Sequence, residues 1–196
     1  MNVDIEFSQF ELKKCHFDHD SILHGIKHTY RVMAHTLILG HLIHARSEGN
    51  IAFFAAFIHD MARRHDGLCT AHGQWAVESK LDDFTKVFYA NGLHERDINT
   101  LKIAVENHSQ PGELPSLHPS YTTTALLKDA DALDRIRLGS DNLDPKYLRF
   151  RISRKLIPYA TDLFYATNYI NIRDFNQIWY IATLILENYP RLKTNS

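Results

Sequence analysis

Four side chains of this sequence, His28, His59, Asp60 and Asp131, are of the types that hold a divalent cation, through neutral imidazole nitrogens and carboxylate oxygens. Such a site needs several donors converging from rigid, buried elements. These four fall on three of the most helix-like stretches of the chain. His59 and Asp60 end the segment IAFFAAFIHD, apolar on nearly every side, where an uncompensated carboxylate would be costly or would give up its charge. A metal or a basic partner has to offset it. Taken singly, any one of the four reads as a hydrogen-bonded core residue or a helix-terminal cap, and for a lone histidine that reading prevails; as a set they point to metal. Histidine is the commonest metal ligand, and the chain has 13 of them.

The elements that must position these residues read as one run of helices. Ile26, Tyr30, Met33, Leu37 and Ile38 recur at helical spacing and predict one long helix from Ile26 to about Arg46. Asn50 can cap a second helix that runs through roughly Ala62. After a turn containing Gly67, a third helix is expected from His72 to about Asp82, a fourth to about Asn91, where Asn-Gly stops it, and a fifth from an Asp97 cap to His108. Residues Ser109 to Ser120 include three prolines and read as a loop of the length that often carries function. Helix resumes near Thr122 with Leu126, Leu127, Ala130, Leu133 and Ile136 on one face, and amphipathic stretches follow from Pro145 and from Asp174 to Glu187. No repeat, linker or strand-like alternation interrupts the pattern, so the expected fold is all-α in a single domain. Residues 1–21 read as an N-terminal extension, 22–150 as the core, and 151–196 as C-terminal helices packed on the same domain.

The order of His28, then His59-Asp60, then Asp131 resembles the HD-domain superfamily of metal-dependent phosphohydrolases, built on a helical bundle. The likeness covers roughly Ile22 to Phe150. His24-Gly25 through His28 to Arg31-Val32 resembles the HGxxHxxRV opening of one subgroup, HDMARR its HDxxRR element, and LKDADALDRIRL, from Leu127 to Leu138, its closing Asp-Ala-Asp and Leu-Asp motif. The resemblance implies that His28, His59, Asp60 and Asp131 ligate a first ion and that Asp60 bridges to a second. It leaves Asp129 as a helix-face charge and Asp134 as an acceptor that orients a ligand histidine. For a second ion, His65, His72 and His108 come into question. His72-Gly73 and His108 match dinuclear members, although a frequent His-His pair here reads Asn107-His108. Each of those two is otherwise a helix-terminal residue. One or two ions of Mn, Fe, Ni, Co, Zn or Mg are compatible.

The chemistry implied is hydrolysis of a phosphomonoester or phosphodiester by a metal-activated water, since a bound ion lowers the pKa of its water from about 15.7 to about 7 and polarises the phosphoryl oxygen. Arg63, Arg64, Arg135 and Arg137 flank the ligand positions with the planar fork that suits phosphate, and Asp60 joins the first three as the expected catalytic group. Lys146 and Arg149, in LDPKYLRF, are placed to reach a substrate. The substrate class is a nucleotide or another small phosphate ester. A net charge of −1 excludes a broad basic face for long nucleic acid. No segment reads as a membrane span or a signal peptide, and Cys15 and Cys69 are too few for a disulfide framework, so a cytoplasmic protein is expected. Cys69 reads as a small core residue, and His16, His19, His35, His41, His44, His94 and His118 receive no role. A metal-free phosphodiesterase using His and Glu, and a non-catalytic nucleotide- or protein-binding regulator, are the competing readings.

Overall fold

The computed structural model of the chain describes residues 5–192. Eight α-helices make up the fold among these residues, and no strand occurs. They are α1 (Ile26–Leu42), α2 (Arg46–Ile58), α3 (His72–Ala90), α4 (Glu95–His108), α5 (Tyr121–Leu133), α6 (Arg151–Lys155), α7 (Ile157–Asn168) and α8 (Phe175–Glu187), with short 3-10 turns before α1, between α5 and α6, and after α8. None is long and apolar enough to cross a membrane.

The first helix is the axis of the bundle. Every residue from His28 to Gly40 is buried, including the polar Thr29, Arg31, His35 and Thr36. It stops at Leu42, earlier than its apolar pattern suggests, because His44 takes a left-handed backbone (φ 58°) and Ala45 then donates back to the Gly40 carbonyl at 2.8 Å. The following helix starts at Arg46, so Asn50 lies inside it and is not its cap. This hairpin is tight because two glycines meet: a Cβ on Gly40 would stand 2.7 Å from the Gly49 Cα. An antiparallel register that sets residue 40 against residue 49 brings residue 28 level with the chain just past Ile58. The meeting of His28 and His59 is thus set by a glycine contact at the other end of the hairpin.

Two further boundaries differ from expectation for local reasons. The third helix runs unbroken for 19 residues, since no Gly or Pro follows Gly73 until Gly92 (φ 91°), and Leu81 is buried where a break was expected. The fourth begins at Glu95 with His94 as its cap. Asp97 sits three residues later and accepts from the His94 N–H at 2.8 Å, which makes it the return arm of a capping box.

The core is aromatic. Phe10 lies within 5.3–5.4 Å, ring centre to ring centre, of Phe53, Phe54 and Phe57, and Leu12 donates its N–H to the Tyr30 hydroxyl at 2.8 Å. The segment before α1 is therefore part of the core through Ile5, Phe10 and Leu12. Phe175 of α8 packs against Tyr30 and Phe53, which draws the C-terminal helices onto the same core.

His35 is buried against Tyr159 with ring centres 5.8 Å apart, and neither of its nitrogens has a hydrogen-bond partner. Burial lowers its pKa to about 4; Asp134 pulls the other way and the Arg31 guanidinium adds to the depression. The folded state thus holds the neutral ring. Stability from this group is complete above the ordinary value near 6.5 and is lost as pH falls from there toward 4, because the unfolded chain takes up the proton first, at up to about 1.4 kcal/mol per pH unit. In chelator-treated protein, His35→Leu should therefore lose less stability between pH 6.5 and 4 than the parent. Denaturant melts across that range test this, and parallel curves would show that His35 is not the responsible group.

Candidate metal centre

The six proposed ligands come from the ends of five helices. His28 stands in the first turn of α1, His59 just past α2 with Asp60 next to it, His72 opens α3, His108 closes α4, and Asp131 lies in the last turn of α5. Their burial explains the apolar strings around them: His28, His59, Asp60, His72 and His108 are all buried, and Asp131 is partly open. Close packing of α3 on α4 joins two of them, since a Cβ on Gly73 would lie 2.2 Å from the Val105 carbonyl oxygen.

The four histidines share one arrangement. In each, Nδ1 faces a hydrogen-bond acceptor: Asp134 Oδ2 at 2.7 Å for His28, and the carbonyls of Ala56 at 2.7 Å, Cys69 at 2.8 Å and Val105 at 2.6 Å for His59, His72 and His108. Neutral imidazole with its proton on Nδ1 turns a lone pair inward from Nε2. Those inward atoms crowd together, with Nε2 to Nε2 distances of 3.3 Å between His28 and His59 and 2.9 Å between His72 and His108. Asp60 lies between the two pairs. Its Oδ2 is 3.4 Å from His28 and 3.5 Å from His59, and its Oδ1 is 3.0 Å from His72 and 3.8 Å from His108. Two groups result, His28–His59–Asp60 and Asp60–His72–His108, each with its donor atoms within 4.8 Å of one another.

These donors fit a cation. Facing lone pairs repel, whereas atoms bound about 2.1 Å from one ion stand about 3.0–3.4 Å apart in octahedral or tetrahedral geometry, close to the 2.9–3.8 Å seen here. Asp131 adds a further donor, its buried Oδ1 lacking a hydrogen-bond partner and lying 3.3 Å from His28 Nε2. Without an ion the proton has to serve instead. Burial and the Arg137 guanidinium oppose charge on His28, yet Asp131, Asp134 and Asp60 around it raise its pKa to about 9. His59, with burial dominant, is pushed down to about 3. Burial works against charge on Asp60 too, but His59 and the other three imidazoles hold it well below the usual carboxylate range.

The centre opens into a cleft of about 340 Å³. Arg63, Arg135 and Arg137 line it. Arg63 holds the Gly67 carbonyl at 2.8 Å and stands 3.5 Å from Asp60 Oδ1, and Arg137 donates to the Leu23 carbonyl at 2.8 Å. Arg64, expected here as well, points elsewhere: its guanidinium lies over the Trp75 ring, 4.1 Å from the centroid. Nor do Lys146 and Arg149 reach the cleft. Lys146 pairs with Asp144 at the surface, and Arg149 is held by Glu113 and Asp129. Asp129 is fully buried, not a helix-face charge, and it accepts the N–H groups of Arg149 at 2.9 Å and Phe150 at 3.0 Å. The structure keeps His65 out of the centre, on the exposed turn, accepting from the Gly67 N–H at 3.1 Å. The proline-rich loop contributes only Ser109 to the lining, and Ser109 also ties that loop to the Thr70 carbonyl at 2.8 Å.

One pair at the cleft was not singled out from the sequence. His24 lines the cleft and offers Nδ1 to Asp66 at 3.0 Å; Asp66 is also bonded to Ser21 and lies 3.4 Å from His19. The Ser21 hydroxyl, ahead of opposing burial and of the two histidines, lowers the Asp66 pKa to about 2. The only sequence signal for it was His24 itself, at the head of the HGxxH string. Comparisons of the chain with family models, curated proteins and solved structures return no match.

Adding cobalt(II) or manganese(II) to chelator-stripped protein should raise its thermal midpoint, since an ion at 100 times its Kd stabilises the folded state by about 2.7 kcal/mol. Asp134→Asn, which leaves the His28 Nδ1 without its carboxylate, should weaken metal affinity about 10–100-fold. A wild-type melt that ignores every divalent metal would remove the centre.

Proposed function

We propose that the chain is an HD-type metal-dependent phosphohydrolase that cleaves small phosphate esters with water as the nucleophile. The observation that carries this reading is the convergence of four inward-facing imidazole nitrogens on one buried carboxylate at the floor of an arginine-lined cleft. His28, His59, Asp60 and Asp131 would hold a first ion, and Asp60, His72 and His108 a second. A donor set this rich in imidazole suits Mn, Fe, Co, Ni or Zn better than Mg, which prefers oxygen. Bound there, a divalent ion would supply a water of lowered pKa and polarise the phosphoryl oxygen.

The residues of the chain do the rest. Asp134 fixes the proton of His28 on Nδ1 and is itself clamped by Arg31, whose outer nitrogen donates to it at 3.0 Å. Arg137, its guanidinium 3.8 Å from Asp131 and 3.9 Å from Asp134, would meet the phosphoryl oxygens from the His28 side of the centre, and Arg63 stands 3.5 Å from Asp60 Oδ1. His24, its Nδ1 held by Asp66, can pass a proton from Nε2 to the leaving oxygen as the P–O bond breaks when it is in the imidazolium form, which burial disfavours and the Asp60 and Asp66 carboxylates support. No glutamate lines the cleft, so a metal-free pair of His and Glu has no second member among the described residues.

Elemental analysis of protein purified without added metal should give two transition-metal ions per chain, falling to about one in His72→Ala and to none in His59→Ala with Asp60→Ala. The double variant, with its helical content checked by circular dichroism, should lose all turnover of p-nitrophenyl phosphate and its bis ester. Hydrolysis that survives in that variant or after exhaustive chelation would refute the metal mechanism, and tight phosphate-ester binding without turnover by metal-loaded protein would make the chain a regulator.

A further inference from the structure

The cleft has the wrong walls for a nucleobase. Bases are recognised by stacking on aromatic rings and by hydrogen bonds to their edges. Among the described residues, the rings lining this cleft are the histidines His24, His72 and His108, and of these His72 and His108 are turned onto Asp60. Phe, Tyr and Trp are absent from the lining, and its larger apolar side chains are Leu68 and Leu138. The volume of about 340 Å³ lies near the bottom of the roughly 300–1,000 Å³ range of small-molecule sites.

Charge gives a second, independent argument. Among the lining residues, Arg63, Arg135 and Arg137 balance Asp60, Asp66 and Asp131, so each divalent ion held there adds two uncompensated positive charges. A cleft in that state favours a ligand with more than one anionic group. The arginines are also placed at two depths. The Arg137 side chain is only 6% exposed and stands 3.8 Å from Asp131 and 3.9 Å from Asp134 with one amino group making no hydrogen bond, and Arg63 is similarly buried with an Nε that makes none. Arg135 is exposed at the rim, where its Nε is steadied by the Asn142 carbonyl at 3.0 Å. A planar guanidinium held in this way is suited to grip a carboxylate or phosphate.

We propose that the substrate is a compact phosphate ester carrying a second anionic group, with its phosphate between Arg63 and Arg137 and the second anion on Arg135. The inference rests on the phosphohydrolase reading for the identity of the reacting group. Nucleotides are expected to be poor substrates, because the cleft can seat their phosphate but its described lining offers the base no aromatic surface.

Isothermal titration calorimetry with three probes tests this: methylphosphonate, with one anionic group; phosphonoacetate, with two; and AMP. Each is titrated into metal-loaded and chelator-stripped protein, wild type and variant, with metal content measured on the same samples. Phosphonoacetate should bind at least ~10-fold more tightly than methylphosphonate, the worth of one charge-assisted contact. Arg135→Ala should erase that advantage and leave methylphosphonate unchanged, whereas Arg137→Ala should weaken both phosphonates. AMP should bind no more tightly than methylphosphonate. Because the readout is a ratio within one protein, partial loss of folding in a variant does not imitate it. AMP binding ~10-fold tighter than methylphosphonate, a phosphonoacetate advantage that survives Arg135→Ala, or no binding of any probe would overturn the inference. A protein that takes up no metal and turns nothing over would instead refute the hydrolase reading, and the probe ratio in stripped protein would still decide which anion the cleft prefers.

Discussion

Four imidazoles whose outer nitrogens are engaged by acceptors, and whose inner nitrogens therefore converge on Asp60, are the constraint around which this molecule is arranged. Three of the acceptors are main-chain carbonyls three residues earlier in the sequence, at the ends of α2 and α4 and just before α3. Helix ends leave such carbonyls unpaired, so a histidine placed there finds its partner locally and loses the choice of tautomer. The concentration of buried donor atoms that follows is unfavourable by itself, and a protein lacking compensation would relieve it by moving the rings apart. Here the backbone forbids that movement.

The prohibition comes from small residues far from the chemistry. Gly40 against Gly49 sets how closely the first two helices approach, and with it the separation of His28 and His59. At the other pair of ligands, Gly73 against the Val105 carbonyl does the same for His72 and His108. In both places a single methyl group would push two helices apart, and tightly packed interiors transmit such displacements without absorbing them. Precision at the centre is thus a property of helix contacts, whereas each arginine of the cleft is anchored in part by a hydrogen bond to a carbonyl outside the α-helices.

The helical class and the positions of the buried His and Asp donors were legible because they rest on signals that survive in one dimension. Apolar spacing marks a buried helix, and a His-Asp pair at the end of such a helix marks a buried charge needing compensation. The failures share a cause. Arg64 differs from Arg63 by one position, and only the path of the turn after Ala62 decides that one faces Asp60 and the other lies over Trp75. Asp129 and Asp134 flank Asp131 in a single string, yet Asp129 is consumed by the main chain of Arg149 and Phe150. The Asp66 partner of His24 comes from a turn 42 residues away, and nothing local announces it. Helix ends moved by a few residues wherever a backbone conformation, such as that of His44, ended a helix that side-chain propensity would have continued.

The helices after residue 150 supply no ligand, yet they bear on the centre. Arg31 lies over the Phe164 ring of α7, 5.1 Å from its centroid, and clamps Asp134, which holds Nδ1 of His28. A buried Arg–Asp pair pays for its desolvation only when its geometry is good, and the aromatic face of α7 closes off the side from which water could reach it. The sequence from Phe164 through Arg31 and Asp134 to His28 makes the orientation of one imidazole depend on a helix that no motif includes. The helices after residue 150, folded against the same core, thus form part of the outer wall around the candidate ligands through Phe164.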